Sequence, residues 1–301
     1  MKKAYFLSVV LTLTLMQLFA QNSYVITMPD SVKLHVNEYG EGMPVVLLGG
    51  GPGFNPNYLV PICQQMPGYR FIIPHQRGSG KSIMNKVDSI NMSTNKHVED
   101  LEALRIHLKL SKLIIAGHSW GGMLGFAYAA KYPEKVDRLI LLGSGGISSK
   151  FFAYFNSNIN MRLHKEDKEE GKNATGILAH MIRIWPGYFY SRERAVATRN
   201  LFDSTFTNPN YSDVSKFALK SYIATETTRI KNIRKYKNPV IVIQGRQDPV
   251  GESTVYETKD ILPQTQINFI EKCGHLPWLE EDKAVTEFYR LLRSALEKNV
   301  R

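Results

Sequence analysis

Residues 112–122 read Lys-Leu-Ile-Ile-Ala-Gly-His-Ser-Trp-Gly-Gly, and the fold follows from how that run must bend. Past its first residue, Lys112–Ala116 is aliphatic at successive positions, as a strand buried on both faces should be. Trp120–Lys131 reads as a helix. Between them stands Ser119, with glycines at 117 and 121. A serine alcohol is a poor nucleophile unless a sharp turn presents it to a base. Glycines on either side remove the Cβ atoms that would clash at such a turn. Gly122 allows the helix to pack closely on the strand.

The same alternation extends in both directions. Strands are predicted at Tyr24–Met28, Val32–Asn37, Pro44–Leu48, Arg70–Pro74, Leu139–Leu142, Val240–Ile243 and Gln266–Ile270. Helices are predicted at Thr94–Leu108, Ser253–Ile261 and Glu281–Lys298. Strands alternating with helices predict an α/β protein, a mostly parallel central sheet with helices on both faces. The first two strands, joined through Pro29-Asp30, read as a hairpin at one edge. Between Gly146 and Asn238 the alternation stops, and the sequence turns helical, aromatic and charged. The predicted organisation is therefore a core of residues 21–145 and 239–301 with a helical lid, 146–238, inserted over the edge where α/β proteins bind ligands.

The chemistry-bearing residues fall just past strands. Leu48-Gly49-Gly50-Gly51-Pro52-Gly53 follows one of them and exposes backbone N–H groups with no side chain in the way. In this architecture such an N–H, with that of the residue after the serine, stabilises the oxyanion of a tetrahedral intermediate. Gly51 and Trp120 are the expected donors, with Gly50 the other candidate. Asp248 follows Val240–Ile243, and His275 follows Gln266–Ile270. The order Ser119, Asp248, His275 predicts a nucleophile, the acid that orients the imidazole, and the general base. His75, also on a loop past a strand, is the rival base. His118 is expected to point away from the serine. Gly80-Lys81-Ser82 imitates the end of a phosphate-binding loop, but the required earlier glycine is His75. No metal-ligand spacing is present, and no cofactor is expected.

These residues resemble the α/β-hydrolase serine peptidases typified by prolyl aminopeptidase (proline iminopeptidase). The likeness lies at Gly50-Gly51-Pro52-Gly53, Gln76-Arg77-Gly78-Ser79-Gly80, Gly117-His118-Ser119-Trp120-Gly121-Gly122, Asp248 and His275. The chain departs from that family at Gly49, where the family has histidine, and at His75, where it has aspartate. The resemblance implies the α/β-hydrolase fold and removal of an N-terminal residue such as proline from small peptides. It also implies lid glutamates that hold the substrate's amino group, for which Glu193 and Glu226 are the candidates. The alternatives are a carboxylesterase or lactonase on small acyl substrates, or a non-catalytic binding protein on the same scaffold. A binding protein would be expected to have lost one of these groups, and the sequence keeps them all. Fold-mates that cleave epoxides or carbon–halogen bonds use a carboxylate nucleophile, which Ser119 argues against.

Composition bounds the rest. The 301 residues are 43% hydrophobic and 22% charged, as in ordinary globular proteins. Lys2 and Lys3 precede an apolar run from Ala4 to Leu15, and Ala20 offers a small residue before Gln21. That pattern predicts a signal peptide over residues 1–20 and export to a periplasmic or extracellular space. No later stretch is apolar enough to span a bilayer. The net charge is +11, with a basic cluster at Arg229, Lys231, Arg234, Lys235 and Lys237. No aromatic–basic motif accompanies it, so it reads as a solvated helix face, with no nucleic-acid partner expected. The expected partner is a small molecule or short peptide. Cys63 and Cys273 are the only cysteines, and either a disulfide or two free thiols is compatible with export.

Overall fold

The computed structural model describes residues 21–170, 172, 176–201, 206, 207 and 209–297. Residues 1–20, where the export signal is expected, lie outside the described residues. The strands are β1 (Gln21–Thr27), β2 (Lys33–Tyr39), β3 (Met43–Leu48), β4 (Tyr69–Pro74), β5 (Leu113–His118), β6 (Val136–Leu142), β7 (Val240–Gly245) and β8 (Thr265–Ile270). They form one 8-stranded sheet in the order β1-β2-β4-β3-β5-β6-β7-β8. β1 and β2 pair antiparallel as a hairpin, with Tyr24 opposite Val36, and β2 pairs antiparallel with β4. From β4 to β8 every pairing is parallel.

The α-helices are α1 (Val60–Gln64), α2 (Thr94–His107), α3 (Trp120–Lys131), α4 (Phe152–Arg162), α5 (Lys165–Glu170), α6 (Gly176–Ile184), α7 (Arg192–Ala197), α8 (Tyr211–Ala224), α9 (Glu226–Ile233), α10 (Glu252–Ile261) and α11 (Asp282–Glu297). Alternation along the strands sends side chains to both faces, and each face is covered. Val46, Ile115, Leu139 and Val242 pack with Leu101 of α2, Leu124 of α3 and Val255 of α10. Val45, Leu47, Ile140 and Ile241 pack with Ile62 of α1 and Phe288 of α11. A strand buried on both sides has no polar positions to spare, which is why these runs read as unbroken aliphatics.

Helices α4 to α9 lie between β6 and β7, and they share both cores. Val214, Ala218 and Tyr222 of α8 join the cluster around Trp120. Met181, Trp185 and Phe189 join the cluster around Tyr58 and Leu276. One expectation fails here. Arg229 is not on a solvated face: its guanidinium lies 3.3 Å from the Tyr222 ring centroid and donates to the Ile147 carbonyl. A helix turn that packs inward takes its arginine with it, and the stem's apolar length makes that tolerable. Cys63 and Cys273 are both free and buried.

Candidate active site

Parallel strands bring their carboxyl ends to one edge, so the loops after β3, β5, β7 and β8 converge there. Ser119 sits between β5 and α3 with φ 53° and ψ −118°, a conformation L-residues avoid unless the surroundings enforce it. The surroundings do so here. A Cβ on Gly117 would stand 2.5 Å from the Gly121 carbonyl, and one on Gly121 would stand 2.2 Å from the Leu48 oxygen. Only glycines permit α3 to pass that close to β3 and β5.

His275 and Asp248 are both buried. The imidazole Nδ1 lies 3.0 and 2.9 Å from the two Asp248 oxygens. A carboxylate only accepts, so Nδ1 carries the proton and Nε2 is left with a lone pair. The main chain of His275 is fixed as well, its N–H donating to the Tyr188 carbonyl at 2.7 Å.

Glu280, entirely buried, ties this loop to the helical segment above it. Its Oε1 accepts the Gly274 N–H at 2.8 Å and the Tyr190 N–H at 2.7 Å. Its Oε2 accepts the Ser191 N–H at 3.3 Å. Burial raises its carboxyl pKa, and the backbone donors partly offset that rise.

The glycine loop after β3 differs from expectation in one respect. Gly50 donates its N–H to Tyr58 Oη at 2.6 Å and so is not available to a ligand. The N–H groups of Gly51 and Trp120 donate to no acceptor among the described residues. His118 also differs. It does not turn away from the site but lies with its ring 4.6 Å from that of His275. Its Nε2 is 3.1 Å from the His275 carbonyl oxygen and its Nδ1 is 2.8 Å from Tyr58 Oη. Burial and the neighbouring His275 hold its pKa well below the usual histidine range, so it stays neutral with both nitrogens engaged. His75 is fully buried elsewhere, its Nδ1 accepting the Lys81 N–H at 3.1 Å. Burial first, then His35 and Lys81, lower its pKa to about 3.

Ser119, His275, Gly50, Gly51 and Trp120 open onto a cavity of about 380 Å³. Its far wall comes from the segment between β6 and β7. Phe151, Phe152 and Phe155 contribute from in and around α4, and Ile177, Met181 and Ile184 from α6. Trp185, Tyr188, Tyr211 and Leu219 add to the apolar lining, and Asn156, His180 and Ser215 are polar groups of the same wall. No aspartate or glutamate is among the described lining residues. A larger groove of about 840 Å³ lies between the end of β8 and α11, beside Glu271, Lys272 and Glu287. It contains none of the residues above, so the smaller cavity is the candidate site.

Glu193 and Glu226 are not in it. Glu193 is exposed in the first turn of α7. Glu226 opens α9 and accepts the Ser149 N–H at 2.7 Å. Both stand where a helix N-terminus favours negative charge, a structural use of glutamate that sequence does not distinguish from a ligand-binding one. Tyr58 and Glu280 escaped the sequence reading, and the contacts of Gln76 and His118 were not legible from their motifs, because each meets partners remote in the chain.

The fold and this arrangement define an α/β hydrolase. The profile of the alpha/beta hydrolase fold family matches residues 43–282, and the chain belongs to that family. Among characterised proteins it is similar to a proline iminopeptidase of Lactobacillus helveticus, 27% identical over 285 residues, covering 88% of this chain and 93% of that one. It is similar to the same degree to Lipase 1 of Psychrobacter immobilis, 28% identical over 286 residues, covering 90% and 84%. An esterase structure from Exiguobacterium antarcticum superposes with a TM-score of 0.67 at 19% identity, covering 92% and 100% of the two chains; that likeness speaks to the fold alone.

Proposed function

We propose that the protein is a serine ester hydrolase for small apolar acyl or aryl substrates, with residues 146–238 as the lid that shapes its acyl chamber. The observation that carries this reading is the cavity lining: aromatic and aliphatic side chains surround Ser119 and His275, with no carboxylate among the described lining residues. A chamber of about 380 Å³ is near the lower end of the roughly 300–1,000 Å³ usual for small-molecule sites. It suits a short acyl chain or a single ring.

In this reading Ser119 Oγ attacks the ester carbonyl while His275 Nε2 takes its proton. Asp248 keeps Nδ1 protonated and stabilises the imidazolium. The N–H groups of Gly51 and Trp120 receive the oxyanion, a contact whose loss costs about 10²–10³ in rate per donor. His275 then returns the proton to the departing alcohol. Water, deprotonated by the same imidazole, releases the acid from the acyl-serine.

A second reading, aminopeptidase action, is favoured by the similarity to proline iminopeptidases. It requires an acidic group for the substrate ammonium, because a desolvated cation without a partner is costly. Neither Glu193 nor Glu226 supplies one in the cavity.

The test is a panel of nitrophenyl esters from acetyl to octanoyl and benzoyl, run beside prolyl and alanyl arylamides with free and acetylated amino groups. We expect kcat/KM for the better esters to exceed that for any arylamide by on the order of a hundredfold or more. Faster cleavage of the free-amino prolyl arylamide, with its acetylated form inert, would replace this reading with the peptidase one.

A further inference from the structure

We propose that Tyr58 and Gln76 are positioning residues that clamp the Gly49–Gly50 peptide against the two residues flanking Ser119, thereby aiming the Gly51 N–H. This rests on the serine-hydrolase reading above and assigns two further residues to it. The Gly49 carbonyl and the Gly50 N–H are the two polar ends of one peptide unit. Gln76 Nε2 donates to the Gly49 oxygen at 2.8 Å, and Tyr58 Oη accepts the Gly50 N–H at 2.6 Å.

Each side chain spends its remaining hydrogen-bonding capacity on a neighbour of Ser119. Gln76 Oε1 accepts from Trp120 Nε1 at 2.7 Å, and Tyr58 Oη lies 2.8 Å from His118 Nδ1. The hydrogen directions are determined throughout. A carbonyl faces His118 Nε2, so Nε2 carries the hydrogen and Nδ1 accepts from Tyr58. The tyrosine oxygen is then left to accept from Gly50. Gln76 is equally constrained, since flipping its amide would set donor against donor and acceptor against acceptor.

Buried networks with every member satisfied rigidify what they hold. A pinned 49–50 peptide restricts the next unit, which carries the Gly51 N–H and has no side chain of its own to restrain it. Gly51 at φ 121° belongs to a stretch that would otherwise be conformationally free. Gly50 is packed as tightly: a Cβ there would stand 3.1 Å from the Ser119 Cβ and 3.1 Å from Tyr58 Oη. The loop donor, the serine and the second donor's own residue are thus held as one body.

The experiment compares wild type, Tyr58→Phe, Gln76→Met and the double variant on the best ester. The readouts are kcat, KM, thermal stability, and inhibition by an alkylboronic acid, whose tetrahedral adduct places an oxygen at the oxyanion position. Ester turnover and fluorophosphonate labelling of wild type are established first; failure there removes the serine-hydrolase reading rather than this clamp. We expect kcat to fall about tenfold in each single variant with KM within about twofold. The boronate inhibition constant should rise by the same factor as kcat falls. Because both side chains hold one peptide, the double variant should lose no more than about thirtyfold. If Tyr58→Phe does not fold, Gln76→Met decides on the same criteria. A folded variant with kcat within twofold of wild type, losses that multiply to a hundredfold, or weakened KM with unchanged boronate affinity would each overturn the proposal.

Discussion

Replacing Glu280 should separate what one carboxylate does for stability from what it does for His275. In Glu280→Ala the N–H groups of Gly274, Tyr190 and Ser191 lose their acceptor. Each unsatisfied buried donor costs about 1–3 kcal/mol. The Ser191 contact, at 3.3 Å, is the weakest and counts least, so a total of roughly 3–5 kcal/mol is expected. In Glu280→Gln a single carbonyl oxygen can still take the Gly274 and Tyr190 donors, since both converge on Oε1. Only the Ser191 N–H loses its acceptor, facing an amide donor instead, and the charge assistance is lost, for about 1–2 kcal/mol. Urea titration of the three proteins measures the difference. Because Gly274 precedes His275 and Tyr188 holds its N–H, kcat should fall in the same order as stability. An alanine variant destabilised by less than about 1 kcal/mol, or one more stable than the glutamine variant, would refute this account of Glu280.

Further outcomes follow from the charges and from the sequence. Burial, and for His97 also Arg77, holds His75 and His97 down to about 3, and His118 well below its usual range. Folded pKa values below unfolded ones mean that the unfolded chain takes up protons the folded chain refuses. The stability they confer is therefore complete above about pH 6.5 and lost as pH falls through that window toward 3, at up to about 1.4 kcal/mol per pH unit for each group. His97→Gln should flatten the slope measured by denaturation between pH 6 and 4.5 by about that amount; an unchanged slope would mean His97 protonates in the folded state too. Glu193→Gln and Glu226→Gln should leave ester kcat/KM within about threefold, and a selective loss on free-amino arylamides would revive the peptidase reading. Protein recovered from its native host should begin at or within a few residues of Gln21 in an extracytoplasmic fraction, as N-terminal sequencing or intact mass will show; retained Met1 in the cytoplasm would end the export proposal.

The sheet was legible because its signal is local. Every expected strand is present, since two-sided burial writes an unbroken aliphatic run into Leu113–Ala116 and Val240–Ile243. The turn at Ser119 was legible for a similar reason: glycines at 117 and 121 answer to steric distances within that segment and against β3. What was not legible depends on where side chains meet across the fold. Gly50 and Gly51 look alike in sequence, and only the arrival of Tyr58 Oη takes one N–H and leaves the other. His118 was expected to turn away, but its direction is decided by Tyr58 on one side and the His275 carbonyl on the other. Glu193 and Glu226 were the candidates for the lid glutamates that the resemblance implies, yet helix starts claim glutamates for their own electrostatics. Arg229 was read as solvated because periodicity alone does not say which face of a short helix finds an aromatic ring.

The central claim is that Ser119 is the nucleophile, and covalent labelling tests it most directly. Wild-type protein treated with a fluorophosphonate should gain the mass of one phosphonyl group, located by peptide mapping to the segment containing Ser119. Labelling and ester turnover should disappear together in Ser119→Ala, with losses of up to about a million-fold in kcat, while the denaturation profile stays near wild type. Retained turnover in Ser119→Ala, or an adduct mapped to another residue, would contradict the account.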